Sequence, residues 1–307
     1  MHALKSIGRI VYQAAVSWSD HRCTSIGAAL AYYAIFSLAP ILVIALSISG
    51  IVFGRDAVEG RVLQELAGLI GTDGASLIQR MIQASYISGH SLKASLIGIF
   101  GVLLGATGLF MELDYAFERI FEAQRKYRNA FFSLVMGRLR GLAIVVGVGF
   151  LLIVSLIASA AIVAASRYLT SWVGEWLRAA SLLEAAFSLI FLTALFGLMF
   201  RLLAPVRLSW RTLAGGAFVT ALLFTMGKWA VGLYLGAGAI GSTFGAAGSL
   251  AILLAWIYYV SMIVLFGAEV THMLFREQTR LAETHKAARM AIMRDAPPAP
   301  STPTPVP

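Results

Sequence analysis

The chain has 307 residues, 59% of them hydrophobic and 13% charged, with a formal net charge of +9. A soluble domain carries roughly 25% charged residues, so too little polar surface is present to coat a soluble core, and an integral membrane domain is the class that remains. The single cysteine, Cys23, excludes an intramolecular disulfide and leaves the compartment open.

Residues 3–20 place Leu4, Ile7, Val11, Ala14 and Trp18 on one helical face, with Lys5 and Arg9 elsewhere. That pattern predicts an amphipathic helix, lying either in a membrane interface or on the bundle. The first apolar run is too long for the core of a cleavable signal peptide. It predicts a first span over 26–53, with Pro40 at its middle. Proline removes a backbone donor and clashes with the preceding turn, so a kink is expected there.

Residues 54–93 read as two short amphipathic helices in the first outer loop, one carrying Val58, Val62, Leu66 and Leu69, the other Leu77, Ile78, Met81 and Ile82. The second span, 94–111, holds Gly98, Gly101, Gly105 and Gly108 on one face, a strip that lets another helix approach closely. It continues as an amphipathic helix of the second inner loop, 112–121, with Leu113, Phe117 and Ile120 as its apolar stripe. The basic run Arg125, Lys126 and Arg128 follows, placed to face lipid headgroups.

The third span, 141–165, has no charge, and Trp172 and Trp176 beyond it suit an interfacial belt. The fourth, about 182–200, carries Glu184 near its start and is ended by Pro205. The fifth, 212–235, contains Lys228. A charge-free loop with Gly238, Gly241, Gly245 and Gly248 leads into the sixth span, where Gly245 and Gly248 read as helix-packing positions. From Gly248 to Ala268 there is no ionisable side chain, and Glu269, His272 and Arg276 follow. The chain thus divides into an amphipathic N-terminal segment (1–24), a six-helix membrane domain (25–276) and a tail (277–307). The tail is polar and basic to Arg294 and holds six of the eight prolines after residue 296, where disorder is expected.

The fold class is therefore all-α: a polytopic bundle of six transmembrane helices. Seventeen Lys and Arg fall on the side of the termini and six on the other, with Lys228 inside a span. The positive-inside rule places both termini in the cytoplasm. The same distribution accounts for the net charge through topology and anionic headgroups, so membrane lipids are the expected partners and nucleic acid is not.

Ionisable residues inside a bilayer cost about 2.5–3.5 kcal/mol at its centre on insertion scales and mark candidate paths. Lys228 lies roughly 24 Å along the fifth span, at the level of Glu184; it either pairs with Glu184 or snorkels outward. Glu269 reaches the inner end of the sixth span, too far from Lys228 to pair with it. It is expected to pair with Arg276 or another arginine, or to line a polar cavity. Lys228, Glu184, Glu269 and the kink at Pro40 are the candidate polar path.

Nothing in the chain reads as a catalytic centre. His2, His21, His90, His272 and His285 fall in separate segments with no pair at metal-ligand spacing. The glycines of 236–248 lack the Lys-Ser/Thr of a phosphate-binding loop, and Glu112 and Asp114 point in different directions on a helix. No catalytic residue, metal or cofactor is expected, and the chain is not expected to be an enzyme.

Two stretches carry a resemblance. Ala28-Ala29-Leu30-Ala31-Tyr32-Tyr33-Ala34 through Ser37-Leu38-Ala39-Pro40 resembles the first-span signature of the YihY/BrkB membrane protein family. Phe244-Gly245-Ala246-Ala247-Gly248-Ser249-Leu250 and Leu265-Phe266-Gly267-Ala268-Glu269 are similar to its final span. Phe244 stands where the pattern leads one to expect tyrosine, so no role for a hydroxyl carries over to it. The resemblance covers about residues 5–280 and implies a bacterial inner-membrane protein linked to envelope integrity and serum resistance. Some members carry an older label as a tRNA-processing ribonuclease, which these residues do not support. The expectation is a multi-pass inner-membrane protein that transports or organises an envelope lipid or lipid-linked component. The alternative is a structural envelope protein whose glycines serve packing alone.

Overall fold

The computed structural model describes residues 2–37, 108–123, 176–236 and 241–294, with short runs between 60 and 83. Among these residues every regular element is helical. In chain order they are α1 (His2–Asp20), α2 (Cys23–Ser37), α3 (108–120), α4 (Trp176–Leu203), α5 (Trp210–Gly236) and α6 (Gly241–Arg294). A short helical run at 75–80 adds Ala75 and Ile78, with Ile82 just beyond, to the buried set.

Three helical segments are long and apolar enough to cross a membrane: Ala185–Leu203, Trp210–Ala230 and Leu250–Thr284. Their outward faces are apolar too, with Ile190, Met226 and Trp229 exposed. An aqueous surface rarely gathers such patches, whereas lipid requires them. The chain is a membrane protein with several apolar helices. The first half of the expected first span is the apolar helix α2. Pro40, the third span and the proline-rich tail lie outside the described residues.

Helix α4 stops two residues before Pro205, whose ring disfavours the helical conformation just ahead of it. The turn is short, and Ser209 restarts the chain as the N-cap of α5: its Oγ accepts from the Thr212 amide at 3.3 Å. Ser209 Oγ and Thr212 Oγ1 both donate to Gln278 Oε1 of α6, at 3.0 and 2.7 Å. These bonds fix the α4–α5 turn against the far end of the last helix.

Helices α5 and α6 run antiparallel with small residues at the seam. A Cβ added to Gly216 would meet Thr271 Oγ1 at 1.8 Å, and one added to Gly267 would meet Thr220 Oγ1 at 1.7 Å. The arrangement is reciprocal: a glycine and the threonine one turn later on each helix face the threonine and glycine of the other. Each threonine hydroxyl also donates to the carbonyl of its own glycine, Thr220 to Gly216 at 2.9 Å and Thr271 to Gly267 at 2.8 Å. Close backbone approach of this kind substitutes for the hydrophobic effect, which has no purchase between helices in lipid. Farther along, Tyr259 packs on Gly227 and donates to the Leu223 carbonyl at 2.8 Å.

The core joins five helices: Ile26 and Leu30 of α2, Phe117 and Ile120 of α3, Phe196 and Phe200 of α4, Ala217 of α5 and Leu265 of α6. Phe117 and Phe200 meet at 5.8 Å between ring centroids, and Phe196, Phe224 and Trp256 form a chain of edge contacts.

Two expectations are corrected by this packing. The expected glycine loop at 241–248 is helical, α6 beginning at Gly241 and continuing for 54 residues. Glycine costs a helix only about 0.5–1 kcal/mol relative to alanine, and in a membrane the backbone hydrogen bonds that a helix satisfies are worth more than that. On α1 the face against α6 is Ile10 and Ala14, packed on Val270 and Met273, whereas Val11 is exposed. Ala14 and Trp18 of the expected stripe do face the protein, and Ile10 takes the place expected of Val11.

Candidate functional site

Helix α1 ends in a sharp turn at His21 and Arg22. The His21 amide still bonds the Ser17 carbonyl at 2.8 Å, and Arg22 then adopts a left-handed φ of 55°. The Arg22 carbonyl accepts from the Ser25 and Ile26 amides and so starts α2. Helix α3 ends the same way. Glu122 has φ 50°, its amide bonds the Arg119 carbonyl, and the Ala123 amide reaches back to Glu118, a Schellman closure with glutamate where glycine is usual. Arg22 and Glu122 are the non-glycine residues with positive φ among those described. Both flank the same buried acid.

That acid is Glu269 of α6, which has no exposed surface. Its Oε1 accepts from His21 Nδ1 at 2.5 Å and from Cys23 Sγ at 3.9 Å, across 248 and 246 residues of chain. A carboxylate oxygen only accepts, so with Glu269 ionised the hydrogen lies on Nδ1 of His21. Oε2 has no partner, and neither does Nδ1 of His272, one turn along α6. Trp18 Nε1, one turn before His21, is the third buried orphan among the described residues. The His272 ring lies against Phe121 at 5.3 Å. Charged neighbours close the rim: Arg276 approaches Glu122 at 3.9 Å, and Arg9 approaches Glu277 at 3.6 Å.

Chemically this is a carboxyl and two imidazoles in an apolar setting, able to hold a proton or a water. Cys23 stands just ahead of the first span. Burial, with the Glu269 charge adding to it and Arg119 opposing, pushes its thiol up to about 12. The thiolate is the nucleophile, so in the folded protein Cys23 should react with a maleimide on the order of a hundredfold more slowly than after SDS unfolding. Mass-shift labelling with a polyethylene glycol maleimide reads this directly, and equal rates in both states would refute the burial.

The sequence singled out Glu269 but not its partner. Glu269 bonds His21, and Arg276 turns instead to Glu122. A usable signal existed, since His21 stands at the same end of the bundle as Glu269. Lys228 is exposed on the outside of α5, apart from Glu269. Glu184 is described only as part of α4, and Gly245 only as part of α6. Gly248 is buried, and Gly108 packs on the ring of Tyr33, 2.6 Å from where a Cβ would stand. Pro40, Gly98, Gly101, Gly105, Arg125, Lys126 and Arg128 lie outside the described residues. Between the described helices lies a mostly apolar cavity of about 330 Å³, lined by Leu30, Leu113, Phe224, Trp256 and Val260.

A second hollow lies on the outer seam of α4 and α5. It is a groove of about 660 Å³, lined by Leu189, Thr193 and Gly197 on one side and Trp210, Ala214 and Phe218 on the other. Its floor is almost wholly apolar, since the Thr193 hydroxyl donates to the Leu189 carbonyl of its own helix at 2.7 Å. At the turn, Arg201 stacks on Trp210 with its guanidinium carbon 4.2 Å from the ring centre.

A family model described as Virulence factor BrkB matches residues 14–291. A UPF0761 membrane protein of Rhodospirillum centenum is 29% identical over 252 residues, 80% of this chain and 53% of its own length. The UPF0761 membrane protein of Citrobacter koseri is 28% identical over 69% of this chain and 70% of its own. The UPF0761 membrane protein YihY of Shigella boydii is 27% identical over 70% of this chain and 68% of its own. The chain thus spans about half the length of the Rhodospirillum relative. No solved structure matches.

Proposed function

Because this chain belongs to the YihY/BrkB family of membrane proteins, we propose that it is a six-span protein of the bacterial inner membrane, with both termini in the cytoplasm, that transports or organises an envelope lipid or lipid-linked component. It does so as a non-enzymatic membrane component whose partners are the lipids themselves. The observation that carries this reading is the α4–α5 groove. Its volume of about 660 Å³ falls in the range of roughly 300–1,000 Å³ used by small-molecule sites. From Trp210 to Phe218 it runs roughly 12 Å along α5, close to the roughly 15 Å of one leaflet's hydrocarbon. An amphiphile entering from the bilayer would leave its chains in surroundings no less apolar than lipid.

The test is reconstitution of the full chain into liposomes carrying a fluorescent phospholipid, with dithionite quenching of the outer leaflet. Exchange between leaflets is expected to exceed that of empty vesicles and to fall when Ala194→Trp and Ala214→Trp fill the groove. Both alanines are exposed, so the variants should fold. No exchange, together with unchanged lipid asymmetry in a deletion strain, would refute the proposal.

A further inference from the structure

We infer that the α4–α5 groove is a binding site for an anionic glycerophospholipid, its phosphate held by Arg201 with help from Arg207 and Arg211. The inference rests on the lipid-handling reading and adds the class of headgroup. Three features converge. Arg201, Arg207 and Arg211 are all exposed at the one turn that closes the groove. Among the described residues, none of the three has a carboxylate partner. Trp210, which lines the groove, is the ring on which Arg201 lies.

The contact with the ring matters. The guanidinium carbon of Arg201 lies over the Trp210 indole, 4.2 Å from its centre, and attraction to a ring face holds the cation there without an N–H acceptor. The five donors lie in the guanidinium plane and stay free, in the fork that matches two oxygens of a phosphate. The carboxamide of Gln278 holds Ser209 and Thr212 from the α6 side, so the turn that presents the arginines is anchored. A phosphate at Arg201 would leave an acyl chain pointing along Leu198, Gly197 and Ala194 into the groove. Those positions follow from Arg201 at helical spacings of three and four, on one face of α4. A zwitterionic headgroup would bring its own cation against three arginines. A second copy of this chain would have to present an acid there, and free phosphate would leave the apolar floor unused.

Native mass spectrometry of delipidated full-length protein, titrated with phosphatidylglycerol and with phosphatidylcholine of the same acyl chains, tests this. Phosphatidylglycerol adducts are expected to dominate. Arg201→Gln should weaken them about fivefold, from about 1 kcal/mol per basic residue at an anionic surface, and leave phosphatidylcholine unchanged. Arg201→Gln/Arg207→Gln/Arg211→Gln should erase the preference, and Ala194→Trp/Ala214→Trp should remove both adducts. Thermal melting of each variant confirms that it folds. Equal retention of the two lipids, indifference to Arg201→Gln, or a lipid-free dimer closing the groove would overturn the inference. If both lipids bind equally while leaflet exchange persists, only the headgroup assignment falls. If neither binds, the lipid-handling reading falls with it.

Discussion

Replacing Gly267 with leucine should leave no folded protein in a detergent extract, and Gly267→Ala should already lower the melting temperature by roughly 5–10 °C, from an overpacking cost of about 3 kcal/mol. A real Cβ essentially never approaches a heavy atom within 3.0 Å, and here it would sit 1.7 Å from Thr220 Oγ1. The threonine cannot simply swing aside. Its hydroxyl is held by the Gly216 carbonyl at 2.9 Å, and inside a span no water replaces that bond. The ring of Phe200 crowds the same space, its nearest carbon 3.1 Å from the new atom. Fluorescence-detected size-exclusion chromatography after heating measures the effect. Thr220→Gly in the Gly267→Ala background should recover most of the loss, because it removes the atom that clashes. Gly8→Ala, at a position with open space around it, serves as the control and should be neutral or slightly stabilising. A Gly267→Ala variant melting with the wild type would show that the seam is looser than described.

The contrast between Gly267 and the glycines that drew attention in the sequence shows what was legible. Spacing marks Gly98, Gly101, Gly105 and Gly108 as a strip because four glycines share one face. Gly216 and Gly267 are single glycines, each completed by a threonine one turn on, so the glycine pattern alone does not reveal them. Only the pairing of two helices does. The helices themselves were readable, since runs without charge have few other solutions. The end of α4 was readable from Pro205, and the stripe of α3 from Phe117 and Ile120. The start of α6 was not, because the modest entropic cost of glycine is outweighed where the backbone must satisfy its own hydrogen bonds. The groove was legible in parts: Arg201, Arg207 and Arg211 stood out as topology signals, but the contact of Arg201 with Trp210 needed the fold of the turn. The pairing of His21 with Glu269 spans 248 residues, a separation that no local periodicity encodes.

That pairing carries the second large effect. His21→Ala should destabilise the protein by about 2 kcal/mol, the cost of leaving a buried carboxyl without its hydrogen-bond partner. Glu269 has no exposed surface, and one of its oxygens already lacks a partner. Without His21 the carboxyl must either stay charged with only the Cys23 thiol to meet it, or take up a proton and lose the interaction; both routes cost stability. Glu269→Gln keeps the volume and an oxygen that can accept from His21 Nδ1, so it should cost less than about 1 kcal/mol. The double variant should then lose much less than the sum of the two single losses, because the uncompensated charge that makes His21→Ala costly is gone. A coupling of about 1.5 kcal/mol or more in that cycle is expected, read from melting in detergent. A second readout separates the pair from a general loss of packing. His21 sits in the turn that seats α2, so His21→Ala should also speed maleimide labelling of Cys23, and Glu269→Gln should restore its protection in the double variant. A coupling near zero with labelling unchanged would mean that Glu269 is held by the packing of α6 alone. With the expected coupling, the polar contact at the end of the last span is what docks the N-terminal helix, and the two orphaned atoms beside it, Glu269 Oε2 and His272 Nδ1, are the place to look for bound water.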